Sequence, residues 1–232
     1  MSVSKLSLLA AAATLAISSL SAHADSLSLG SAGQSMFYFF DGSPQQAAGG
    51  NFSPSSAVIG GNTVNFSAVY CVDLNDNIND NSTYNNTVFT TSGVVNGSTV
   101  HNAADIAWLI LNTKVTNSTQ AAGLQAAIWE TEYGNEFSLV SFGQTTIASD
   151  ETADLNALNN ATVSSSLVSE LDWITPPTVT EGSGKNKQTV DQQGLVGLVN
   201  DPPPAVPEPA TLSLFGTGIL GLAGVVRRRL SA

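Results

Sequence analysis

From Asn62 to Leu74 the chain alternates between apolar and polar positions almost without a break. Successive side chains of a strand point to opposite sides, so Val64, Phe66, Ala68, Tyr70, Val72 and Leu74 share one face. Asn65, Ser67, Val69, Cys71 and Asp73 share the other, which places Cys71 on the more polar side. Ser26 to Phe40, rich in aromatic residues, predicts an earlier strand, and Val88 to Val95 a strand or hairpin arm. Near residue 100 the period changes. Ile106, Leu109 and Ile110 recur at helical spacing behind Asn102, a cap residue with Asp105 three positions on. Ala121, Leu124, Ile128 and Trp129 repeat the pattern behind a cap at Ser118 or Thr119. Asp150 to Leu171 predicts a third, polar-faced helical region, stopped by Pro176-Pro177. Lys187 to Val199 returns to strand-like sequence. There is no internal repeat. The order of elements predicts an α+β domain, a β-barrel or β-sandwich carrying an inserted helical part.

The two ends change the picture. Lys5 is followed by an apolar run from Leu6 to Leu20 and then by Ala22-His23-Ala24, with small residues at the two positions a signal peptidase reads. Residues 1–24 are therefore expected to be a cleaved signal peptide. At the far end, a proline-rich linker (201–209) leads into the seventeen uncharged residues Ala210 to Val226 and then Arg227, Arg228 and Arg229. Seventeen residues sit at the lower limit for crossing a hydrocarbon core, and arginines beyond such a segment stay cytoplasmic. Residues 210–226 are thus expected to form a C-terminal transmembrane helix, with 227–232 as its basic cytoplasmic end and the body, 25–200, outside. This ending resembles the PEP-CTERM sorting signal, with Pro207, Glu208 and Pro209 as its motif and the three arginines as its close. In that family an exosortase recognises the tail and cleaves near the Pro-Glu-Pro, in Gram-negative bacteria that typically make exopolysaccharide. The resemblance implies an exported protein, first anchored in the inner membrane with its body outside and then at the cell surface or in the extracellular matrix. A plain membrane anchor would give the same topology.

Charge narrows the partners. Residues 25 to 206 hold 17 acidic residues against Lys114, Lys185 and Lys187, a net charge of −14. Such a surface repels phosphate backbones, so no nucleic-acid partner is expected, and anionic polysaccharide needs bridging divalent cations. The mature body has one histidine, His101, and one cysteine, Cys71. These cannot build a multi-ligand zinc site, a redox pair or an intramolecular disulfide, and no hydrolase elbow or nucleotide-binding loop is present. An enzyme, a cofactor and a metal are accordingly not expected. Asp73, Asn75 and Asn77 have calcium-loop spacing, but Ile78 stands where the required Gly belongs and Tyr84 where the bidentate Glu belongs, so Asx turns account for the run. His101 and Asp105 are read as the start of a helix, and Trp108 and Trp173 as core anchors.

Tyr70-Cys71-Val72-Asp73 on a strand and Leu124-Gln125-Ala126-Ala127-Ile128-Trp129 on a helix together resemble the two signatures of bacterial thioester domains. Leu124 stands where that family usually has Thr. The resemblance implies that the Cys71 thiol and the Gln125 carboxamide condense with loss of ammonia, with Tyr70, Asp73 and Trp129 as the surroundings. It also implies a covalent adhesin, attacked once by an amine or hydroxyl of a partner or matrix polymer. The chemistry needs rigid supports, because an amide is a poor electrophile and only enforced contact makes it react. On the helix, Ala121 and Ala122 precede Gln125 by one turn and Trp129 follows by one, which puts Gln125 at the edge of the buried face. The competing class is a non-covalent structural protein of the exopolysaccharide matrix, sorted by the same tail.

Overall fold

A computed structural model describes residues 24–182 and 187–200. The signal peptide, the Pro-Glu-Pro motif, the apolar segment and the terminal arginines lie outside the described residues. The architecture is mostly β, with one curled, half-barrel sheet and a few helices. Its strands are β1 (Ser26–Leu29), β2 (Ser31–Phe40), β3 (Ser43–Ser53), β4 (Ser55–Ile59), β5 (Asn62–Cys71), β6 (Ser82–Asn85), β7 (Val88–Thr90), β8 (Val94–Val95), β9 (Ser98–Thr99), β10 (Phe137–Leu139), β11 (Asp172–Thr175), β12 (Val179–Glu181), β13 (Gln188–Val190) and β14 (Leu195–Val199). The large sheet runs in the order β6-β1-β4-β5-β14-β11-β7, and a smaller sheet runs β10-β2-β3. All the strand pairs are antiparallel.

The predicted first strand is two strands that serve different sheets. The break falls at Gly30, where an added Cβ would lie 2.4 Å from the Pro54 carbonyl oxygen, and the partner chain turns at the same point between β3 and β4. The hairpin β2–β3 thus leaves the small sheet and enters the large one as β1 and β4. Its tip is the two-residue turn Asp41-Gly42, both with positive φ, the geometry that matches strand twist.

Three α-helices follow: a first helix, Ala103–Asn112, a central helix, Ser118–Tyr133, and a third helix, Thr145–Asn159. The expected caps are shifted. Asn102 is left-handed and makes no side-chain cap; its Nδ2 donates to the Thr131 carbonyl instead. The central helix is capped by Asn117, whose Oδ1 accepts from the Gln120 N–H at 2.9 Å, one residue before the expected position. The third helix begins before Asp150 and ends at Asn159, and the remainder of the predicted region forms a 3-10 turn, Ser165–Glu170.

The central helix is enclosed on every side. Its nine residues from Ala121 to Trp129 are all buried, so it lacks the polar stripe of a surface helix. One face, Ala122, Ala126 and Trp129, packs into a core with Leu27, Met36, Val69, Cys71 and Leu195. The opposite face, Leu124, Ala127 and Ile128, packs into a second core with Tyr70, Val72, Ile106, Leu109, Trp173 and Val196. The C-terminal half of β5 lies between these cores and is covered on both sides.

At Gly123 the third helix comes so close that an added Cβ would lie 2.5 Å from the Asp150 Cβ. Gly123→Ala is therefore expected to cost about 1–3 kcal/mol by overpacking, despite alanine's better helix propensity. Urea denaturation of the variant beside the wild type measures this.

Candidate functional site

β4 pairs with β5 only between Asn62 and Phe66. Beyond Phe66 no strand is paired to that edge of β5, while its other edge continues along β14. Buried backbone N–H and C=O groups require partners, and here two side-chain amides supply them. Asn51 Oδ1 accepts from the Val69 N–H at 2.9 Å and its Nδ2 donates to the Ser67 carbonyl at 3.1 Å. Gln125 Oε1 accepts from the Cys71 N–H at 2.9 Å, and its Nε2 donates to the Cys71 carbonyl at 2.8 Å. Each amide imitates one residue of a missing strand. The sequence-predicted pair, Cys71 and Gln125, is thereby brought together, backbone to carboxamide, with Gln125 fully buried and Cys71 2% exposed.

Two expectations are corrected. Gln125 lies inside the core and not at its edge, because the central helix has no solvent face at that level. Cys71 does not face the polar side. The pairing with β14 shifts between Leu198, opposite Ala68, and Val199, opposite Phe66, so Ser67 has no cross-strand partner. Such a bulge resets the alternation. Phe66 and Cys71 consequently enter the same core, with Val69 between them in the chain, and Tyr70 and Val72 enter the other.

Around the pair, the environment is aromatic on one side and acidic on another. Trp129 sits one turn after Gln125, with ring centroids 5.3 Å from Tyr38 and 5.7 Å from Phe137. Its Nε1 is buried without a hydrogen-bond partner. Tyr70 points into the opposite core from Cys71 and does not contribute to this cluster. Burial pushes the Cys71 thiol well up, and the negative charge of Asp73 adds to the effect. The thiol form is strongly favoured.

Asp73 lies just past the end of β5. One of its oxygens accepts from the Asn75 N–H at 2.8 Å in an Asx turn and the other from Asn96 Nδ2 at 3.3 Å. It lines a cavity of about 370 Å³ with Asp76, Glu132, Asp191, Asn96 and Tyr133. Glu132 is pushed up to about 8, mainly by burial and then by Asp73, against a hydrogen bond from the His101 backbone. Asp76 rises to about 6, by burial first and then through Asp73. Among the described residues no group of three or more His, Cys, Asp or Glu side chains is placed to hold a metal ion. His101 Nδ1 lies 3.0 Å from the Glu132 carbonyl oxygen, and the Asp105 N–H donates to the Asn102 carbonyl in the first helical turn. Trp173 is fully buried in the second core, and Trp108 is partly buried against it.

Asn51, Tyr38 and Glu132 were not legible as site residues. They are 20, 33 and 61 positions from Cys71, with no shared motif. Asn51-Phe52 after Gly49-Gly50 does mark a departure from a regular strand, the one local hint of Asn51's role.

Against known proteins, a model of the PEP-CTERM protein-sorting motif matches residues 205–229. The chain carries this sorting signal. The motif points to an exported protein processed by an exosortase, with a membrane-anchored C-terminal tail before processing. No curated protein and no solved structure matches the chain. Among the described residues, no helix is long and apolar enough to cross a membrane.

Gln125→Ala is expected to destabilise the protein by about 2–5 kcal/mol, because it leaves both backbone groups of Cys71 buried and unpaired. Asn51→Ala, at a partly exposed position, should cost about 1 kcal/mol. Chemical denaturation of the two variants tests the difference. Stability should also fall as pH rises. Glu132 holds its proton to about pH 8 when folded, whereas in the unfolded chain it loses it near the ordinary glutamate value. Its contribution is thus complete in acid, declines as pH rises above the unfolded value, and is lost above about pH 8. A series of thermal melts from pH 4 to 9 should show the midpoint falling, and Glu132→Gln should flatten the profile.

Proposed function

We propose that this exported protein works as a covalent surface adhesin, using an internal thioester between Cys71 and Gln125. The observation that supports the reading is the double hydrogen bond between the Gln125 carboxamide and the backbone of Cys71. In the proposed step the Cys71 sulphur attacks Gln125 Cδ. The S–C bond forms, the C–N bond breaks, the thiol proton passes to the departing nitrogen, and ammonia leaves. The Cys71 N–H already donates to the carbonyl oxygen on which negative charge develops, as an oxyanion-hole donor does. The Cys71 carbonyl holds the leaving nitrogen. Burial disfavours a free thiolate, so the reaction depends on enforced proximity and not on acidity. Trp129, Tyr38 and Phe137 keep water from the acyl group.

A partner's amine or hydroxyl then displaces the sulphur, leaving an amide or ester on the Gln125 carbonyl and a restored Cys71 thiol. Each molecule reacts once and does not turn over, so the protein is not an enzyme. The exosortase-type tail carries the body to the cell surface or the extracellular matrix, where a matrix or surface polymer supplies the nucleophile.

A second reading is favoured by Asn51, which closes the same strand edge with no thiol beside it. In that reading Gln125 is a structural edge cap, and the protein is a non-covalent component of the exopolysaccharide matrix. The intact mass of the secreted protein separates the two. A thioester gives a mass lower by one ammonia, uptake of methylamine at Gln125, and no alkylation of Cys71 after unfolding. Cys71→Ala should abolish the mass loss and the methylamine uptake and leave export intact. An unmodified mass with Cys71 alkylated on unfolding rejects the thioester.

A further inference from the structure

A second cavity, of about 260 Å³, opens between β3, the outer strand of the small sheet, and the Asx-rich loop that follows β5. Ala47 and Ala48 line it from β3, and Asn77, Ile78 and Asn79 from the loop. Its buried end is formed by Tyr38 and Phe52, which belong to the core that takes the Cys71 side chain. The loop is fastened at three points. The Leu74 N–H donates to Tyr133 Oη at 3.0 Å, the Gln193 N–H to the Asn77 carbonyl at 3.2 Å, and Tyr84 Oη to the Asn79 carbonyl at 2.6 Å. The cavity is therefore preformed, as binding sites for small groups usually are.

Tyr133 and Tyr84 place their hydroxyls on the backbone in this way, and Tyr38 does not. Tyr38 is 6% exposed, yet among the described residues nothing hydrogen-bonds its hydroxyl. Its ring centroid lies 5.3 Å from that of Trp129, whose Nε1 is buried without a partner. Trp129 in turn sits one turn from Gln125 on the central helix. Two adjacent rings thus carry unmet polar groups on the way from the cavity to the Gln125 carboxamide. The buried carboxamides nearby, Gln125 and Gln144, are fully engaged by backbone. A buried polar group with no protein partner marks a place where another molecule supplies one.

We propose that this cavity is the route by which the nucleophile reaches the thioester, and that the Tyr38 hydroxyl receives and orients it there. The inference rests on the thioester reading of Cys71 and Gln125. When an amine enters, one of its N–H groups donates to Tyr38 Oη, which turns the nitrogen lone pair toward the acyl carbon. The N–C bond forms, the S–C bond breaks, and a proton of the amine passes to the Cys71 sulphur. Burial raises the Tyr38 pKa, so the hydroxyl is neutral and free to accept such a bond. A cavity of this size admits a small amine or the end of an unbranched arm and no folded partner, so the nucleophile is presented on a flexible extension.

The test follows methylamine uptake by intact mass over time, in secreted protein that has already lost one ammonia. Tyr38→Phe keeps the ring against Trp129 and Phe137, so the thioester should form to the wild-type extent. Uptake should slow by roughly two- to tenfold, the worth of one hydrogen bond. A structural defect would lower the thioester yield as well. Ala48→Trp narrows the cavity from an exposed position on β3 and should also slow uptake with the thioester intact. Should Tyr38→Phe fail to fold, Ala48→Trp decides. Uptake at the wild-type rate in Tyr38→Phe would overturn the role of the hydroxyl, and the same result in Ala48→Trp would overturn the route. An unmodified mass in the wild type would instead remove the thioester itself, and this inference with it.

Discussion

The structure turns on one strand edge that is buried before it is paired. β5 loses its neighbour after Phe66, because the chain of β4 turns away at Pro54 to enter the other sheet. Val69 and Cys71 are then core, and there water cannot satisfy the unpaired backbone. An open edge in such a place is unstable unless something with both a donor and an acceptor stands beside it. A carboxamide has both on one planar group, at the spacing of a peptide unit. Asn51 and Gln125 are the two residues that stand there.

That requirement shapes the helix as well. To deliver a short side chain to a backbone in the interior, the central helix must pass through the molecule and not over it. This explains its small residues, Ala121, Ala122, Gly123, Ala126 and Ala127, and its lack of a polar face. It also explains why the third helix approaches so closely at Gly123. A body with three basic residues against 16 acidic ones in 25–200 has few means of neutralising a buried carboxylate except a proton. Burial is the main cause that raises Glu132, Glu151, Asp76 and Asp154.

The same geometry that closes the edge also holds an amide carbonyl in front of an N–H donor on the residue bearing the protein's single cysteine. Structural capping and covalent chemistry therefore use identical hydrogen bonds, and they diverge only in whether the sulphur reaches the carbonyl carbon. Asn51 is the internal comparison. It performs the closure without any nucleophile, which shows that closure by itself needs no thiol.

The sorting tail, the strands β2, β5 and β14 and the helical middle were legible in the linear chain, because each depends on local order: a motif with an apolar run, a period of two, or a period of 3.6. The acidic balance also followed from counting. What no local pattern could supply was the direction in which Cys71 points, since a bulge opposite Leu198 and Val199 reverses the parity of β5 halfway along it. Nor could periodicity reveal that Gln125 is fully interior, or that Asn51 shares its task from 74 positions away. Those facts arise from which elements pack on one another, and there the decisive quantity is the cost of an unpaired polar group in the core.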